Sequence, residues 1–102
     1  MKAVRVQYTV KPEFIEENKQ NIQRVMNALR EQPIDGMMYS SYTDNDNPAI
    51  FIHINICRDD ETMSKLNDIP EFLEFRMALK SSQPVSPPNQ TKLDLVDSNF
   101  NF

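Results

Sequence analysis

Apolar and polar positions alternate from Ala3 to Val10, with Val4, Val6, Tyr8 and Val10 on one side and Arg5, Gln7 and Thr9 on the other. A period of two over that length predicts a half-buried strand. The period then lengthens, and Phe14, Ile15, Ile22, Val25, Met26 and Leu29 fall on one stripe of a helix. Pro12 suits the first turn of that helix, where its missing N–H goes unused, and Glu13, Glu16 and Glu17 favour the positive end of the dipole. The helix is expected to end near Glu31, before Pro33.

After Gly36, the stretch Met37 to Thr43 has strand character, and Asp44-Asn45-Asp46-Asn47-Pro48 is dense in turn formers. A second strand follows at once, so a hairpin is the simplest reading. In it Ile50, Ile52, Ile54 and Ile56 share one face, while Phe51, His53, Asn55 and Cys57 share the other. Asp59 or Asp60 can cap a short helix carrying Met63 and Leu66, and Pro70 restarts it through Phe72, Leu73, Phe75, Arg76 and Leu79. Ser81 to Gln90 holds Pro84, Pro87 and Pro88 and reads as an extended, hydrogen-bond-poor crossing. Lys92 to Asp97 alternates again, with Leu93 and Leu95 expected inward, and residues 98–102 read as a frayed tail.

The order strand, helix, strand, strand, helix, strand is the split βαβ pattern of ferredoxin-like α+β folds. Right-handed crossovers put both helices on one face of a four-stranded antiparallel sheet, and the strand order becomes fourth, first, third, second. If the helices take the valine and isoleucine faces, the open face shows Arg5, Gln7, Thr9, Phe51, His53, Asn55 and Cys57, with Met38, Ser40 and Tyr42. Such a semi-polar face suits packing against a second copy of the same sheet.

Composition narrows the chemistry. A chain of 102 residues with charge –4 spread along its length forms a single domain over 1–102 and is a poor partner for nucleic acid or anionic membranes. No apolar run approaches the roughly 20 residues of a membrane span, and the start does not read as a signal peptide, so a cytoplasmic protein is expected. One glycine excludes dinucleotide and P-loop fingerprints, and one cysteine with one histidine excludes a standard zinc set, so no metal is expected. Asp44-Asn45-Asp46 lacks the glycine and terminal glutamate of a calcium loop and reads as a turn.

With Val-Lys-Pro-Glu-Phe at 10 to 14 and Asp-Ile-Pro-Glu-Phe-Leu-Glu-Phe at 68 to 75, the chain resembles the antibiotic-biosynthesis-monooxygenase-like group of the dimeric α/β-barrel superfamily. The resemblance implies a homodimer with stacked sheets and a small-molecule pocket between each sheet and its helices. It implies a cofactor-independent monooxygenase or isomerase acting on a small aromatic or enolisable compound. Active members of the group carry a glutamate and an aromatic residue near the end of the third strand and a histidine on the next helix. Here those places hold Asn55, Cys57 and Leu66, and there is no tryptophan. A non-catalytic small-molecule-binding or stress-response module is therefore the alternative.

His53 is the one side chain with an unperturbed pKa near neutrality, which makes it the candidate base, with Asn55 and Arg5 orienting substrate or steadying negative charge. A hydrogen bond across a dimer seam would explain the same histidine. Tyr8, Tyr39, Tyr42, Phe72 and Phe75 are the candidate pocket lining, although core filling accounts for the same residues and is the default for apolar stripes at helical spacing.

Overall fold

Three of the four strands lie where alternation or strand propensity puts them: β1 at Lys2–Thr9, β2 at Met37–Thr43 and β3 at Ile50–Cys57. The computed structural model describes residues 1–101. A 3₁₀ turn at Pro12–Phe14 leads into the helix α1, Ile15–Glu31. The second helical segment comes in two pieces as expected, α2 at Asp60–Ser64 and α3 at Pro70–Ser81, joined by the 3₁₀ turn Lys65–Asp68. Asp59 caps α2 by accepting from the Thr62 backbone N–H at 2.8 Å, and Pro70 opens α3.

Turn chemistry fixes the β2–β3 hairpin. Asp44 accepts from the backbone N–H groups of Asp46 and Asn47 at 2.8 and 3.2 Å, so its carboxylate is spent on the turn. Before β2, Gly36 adopts φ +80, a conformation open to glycine, and its carbonyl accepts from the Arg58 N–H at 2.8 Å.

The sheet order is β2-β3-β1-β4, with every pairing antiparallel, as the split βαβ pattern requires. The last strand, β4, departs from expectation. It spans Ser86–Leu93, so the proline-rich stretch read as a crossing is itself paired with β1. β4 has one neighbour and all of its residues are exposed. Pro87 and Pro88 are tolerated there because they fall at an irregularity in the pairing, between Gln7 and Thr9, on an edge strand. The strand stops at Leu93, and Leu93 and Leu95 are exposed rather than inward. Residues 94–101 form neither helix nor strand, and Phe102, part of the tail expected to fray, lies outside the described residues.

The larger correction concerns the two sides of β3. Register sets Val4 opposite Asn55, Val6 opposite His53 and Tyr8 opposite Phe51, and paired residues share a face. That shared face is the one the helices cover: Tyr8, Val10 and Phe51 form the core with Ile22 and Val25 of α1 and Phe75 and Leu79 of α3. His53, Asn55 and Cys57 are therefore under the helices, not on the open face. Ile50, Ile52, Ile54 and Ile56 point the other way and are only half-buried. They share the open face with Arg5, Gln7 and Thr9, and with Met38, Ser40 and Tyr42, which do lie there as expected. Among the described residues no helix is long and apolar enough to cross a membrane.

Candidate functional site

His53 sits mid-strand on β3 with 4 % exposure, and each ring nitrogen meets a tyrosine. The Tyr8 hydroxyl lies 2.8 Å from Nε2 and the Tyr39 hydroxyl 2.9 Å from Nδ1. Tyr8 comes from β1 and Tyr39 from β2, so the two strands flanking β3 supply one partner each. The imidazole is also enclosed by rings, with centroids 5.4 Å from Tyr8 and 5.4 Å from Phe75. A polar side chain is tolerable at this depth because its hydrogen-bonding capacity is used.

Burial sets the charge state. Moving an imidazolium out of water without a counter-ion is costly, and the His53 pKa falls to about 4. Burial likewise pushes the Tyr8 and Tyr39 hydroxyls well above the ordinary tyrosine range, so both stay protonated. At neutral pH the three groups form an uncharged cluster that can both donate and accept.

A stability prediction follows. The unfolded chain protonates His53 near the ordinary 6.5 and the folded chain only near 4, so the unfolded state binds the extra proton in between. His53 should contribute stability that is present above pH 6.5 and lost as pH falls through 4, roughly 3 kcal/mol in all. Urea unfolding across that range should show the loss, and His53→Gln should flatten this part of the profile.

A cavity of about 520 Å³ opens beside this cluster, between the sheet and α2–α3. Val4, Val6, Phe72, Phe75 and Leu79 give it apolar walls, and Tyr8, Tyr39, His53 and Asn55 supply the polar inner surface. The Asn55 side-chain oxygen accepts from the Cys57 thiol at 3.2 Å, while its amide nitrogen has no partner among the described residues. Asn55 thus offers the cavity a free donor. At the rim, Lys2 and Asp60 pair at 2.8 Å, and the hydrogen bond from Lys2 holds the Asp60 carboxyl below the usual range. Arg76, also at the rim, stacks its guanidinium 5.8 Å from the Phe72 ring centre and has no carboxylate partner among the described residues.

Of the residues singled out from sequence, the cavity brings together His53, Asn55, Tyr8, Tyr39, Phe72 and Phe75. It does not include Arg5 or Tyr42. Arg5 is on the opposite face, where it donates to Gln7 at 2.6 Å, and Tyr42 is 55 % exposed on that same face. Arg5 and Tyr42 keep the open face expected for them; His53 and Asn55 are the residues that lie on the other side of the sheet. Asn18 was not foreseen. It is fully buried on α1 and donates to the Tyr8 hydroxyl at 2.9 Å. A signal was present, because Asn18 falls on the stripe of Ile15, Ile22 and Val25 and is its polar interruption. Cys57 is buried, and burial raises its thiol pKa, which favours the inert form. Among the described residues, no three metal-ligating side chains gather.

The arrangement defines a class: a ferredoxin-like α+β domain whose antiparallel sheet and helices flank a small-molecule-sized, partly aromatic cavity with an uncharged inner surface and a charged rim. Its fold is that of the antibiotic biosynthesis monooxygenases. One solved structure of that name superposes with a TM-score of 0.81 at 18 % identity, covering 95 % of this chain and all 100 % of the other. Rv0793 from Mycobacterium tuberculosis matches at 0.81 and 17 % identity over 97 % and 98 % of the two chains. SnoaB, a cofactor-independent oxygenase from Streptomyces nogalater, matches at 0.72 and 16 % identity over 96 % and 95 %. No protein-family model and no curated protein matches the sequence.

Proposed function

We propose that this protein takes a compact aromatic or enolisable compound into the cavity and moves a proton on it without a bound cofactor, as a monooxygenase or isomerase. The carrying observation is the neutral Tyr8–His53–Tyr39 cluster lining an open cavity beside the free amide of Asn55. Removing a proton from an acidic C–H or O–H, with His53 taking up a proton through a tyrosine hydroxyl hydrogen-bonded to its ring, leaves an enolate or phenolate. Asn55 Nδ2 is the group placed to steady that charge. The same anion lifts the proton affinity of His53, because it gives the imidazolium a counter-charge that the surrounding side chains do not supply. An enolate or phenolate can react with dioxygen directly or be reprotonated at another carbon, so one site serves either outcome. SnoaB, which shares the fold, is a cofactor-independent oxygenase, and this supports the first. A closed, dry space would have favoured a non-catalytic module; an open cavity with convergent polar groups favours the enzyme.

Two copies pair through the open sheet face in this reading. Half-buried Ile50, Ile52, Ile54 and Ile56 lie on this face beside exposed Met38 and Tyr42, and such contiguous apolar surface favours a protein partner. A cytoplasmic setting suits the unpaired, buried Cys57.

A thermal-shift panel of substituted quinols, small 1,3-dicarbonyl compounds and haem tests the site. A quinol or dicarbonyl at a hundredfold excess over its Kd should raise the melting temperature by on the order of 10 °C. Asn55→Leu should reduce that shift, and oxygen uptake or isomerisation should follow for the binder. Silence across the quinols and dicarbonyls removes the proposal.

A further inference from the structure

Asn18 is wholly enclosed, yet only one end of its amide is used. Its Nδ2 donates to the Tyr8 hydroxyl at 2.9 Å, and its Oδ1 has no partner. The opposite orientation of the amide would bury an NH₂ with neither hydrogen used, the costlier arrangement for a donor-rich group. The direction of this bond propagates. A Tyr8 oxygen that accepts from Asn18 still has its own hydrogen to place, and the acceptor at 2.8 Å is His53 Nε2. Ser41 Oγ, at 3.5 Å from the same nitrogen, is another hydroxyl able to donate there.

A neutral imidazole has one N–H and one bare nitrogen. With Nε2 accepting, the hydrogen belongs on Nδ1, from which it reaches the Tyr39 oxygen at 2.9 Å. Tyr39 then accepts from His53 and keeps its own hydroxyl hydrogen, for which the described residues offer no other acceptor. Tyr39 lines the cavity.

We infer that Asn18 is a positioning residue that fixes His53 as its Nδ1–H tautomer and so makes the Tyr39 hydroxyl the hydrogen donor presented to a ligand oxygen. The matching ligand group is an acceptor such as a carbonyl, enolate or phenolate oxygen. The inference rests on the proton-handling reading of the cavity for its purpose, but not for its test. Both His53 nitrogens are already engaged, so the histidine acts through a tyrosine rather than on the ligand directly.

The chain has a single histidine, so two-bond ¹H–¹⁵N correlations on the full ¹⁵N-labelled protein at neutral pH report this imidazole alone. The expected pattern is a protonated Nδ1 and a bare Nε2, the reverse of the form that free histidine favours. Asn18→Leu, which keeps the shape and removes the donor, should move the pattern toward Nε2–H. Tyr39→Phe removes the acceptor for Nδ1–H and should move it the same way. An Nε2–H pattern in the unsubstituted protein overturns the inference, as does an unchanged Nδ1–H pattern in folded Asn18→Leu. If Asn18→Leu does not fold, the unsubstituted protein and Tyr39→Phe decide. Because no ligand is needed, this result and that of the thermal-shift panel fail separately.

Discussion

Replacing Phe51 with alanine is expected to remove about 3–5 kcal/mol of folding stability, the usual cost of emptying a large aromatic site in a packed core. Phe51 is 1 % exposed and stacks on Tyr8 with ring planes 7° apart and centroids 5.6 Å apart. Neighbours on α1 and α3 are held by helical backbone and cannot collapse fully into the gap. A domain of this size has about 5–15 kcal/mol in total, so the variant should be close to its limit. Ile52, one position along the same strand, is the control. Its side chain is on the open face, and Ile52→Ala should cost the isolated fold far less. Urea unfolding of both variants in single-chain form, for example in the Ile54→Lys background, checks the parity of β3; equal losses would mean that the two faces are equivalently packed.

The second large effect concerns assembly. Ile54 lies in the middle of the open face, opposite Arg5 on one side and Ser40 on the other. In a two-fold pairing each interface residue is present twice, so Ile54→Lys introduces two ammonium groups into one seam. An uncompensated buried charge costs roughly 3–5 kcal/mol, which weakens association on the order of 10²–10³-fold or more. Sedimentation at micromolar concentration should show pairs for the unsubstituted chain and single chains for Ile54→Lys, with little change in the helical signal. Single chains in both would end the pairing proposal.

The order of elements, the pairing of strands and the two-piece second helix were legible because each rests on local punctuation: Pro12, Gly36, the Asp44–Pro48 turn and Pro70. The sidedness of β3 was not. Isoleucines at every second position look like a core face, and by transfer energy alone they should be one. What reverses the choice is non-local. Tyr8 and Tyr39, from two other strands, satisfy His53 inside, and the cavity leaves one end of Asn55 a place to point. Hydrophobicity along one strand holds no information about partners on its neighbours. The same blindness moved Arg5 into the site and kept Asn18 out, although six residues of the candidate set do converge. β4 was expected, but too late in the chain, for a different reason: prolines argue against a central strand, but they say little against an edge.

Those prolines also bear on how the protein meets its surroundings. Pro87 and Pro88 remove two adjacent N–H donors from β4 where its register with β1 shifts. A border missing two neighbouring donors is a poorer template for a stray extended peptide. Of the two sheet borders, β2 alone is free of proline, so edge-to-edge addition of a further strand is disfavoured at β4 relative to β2.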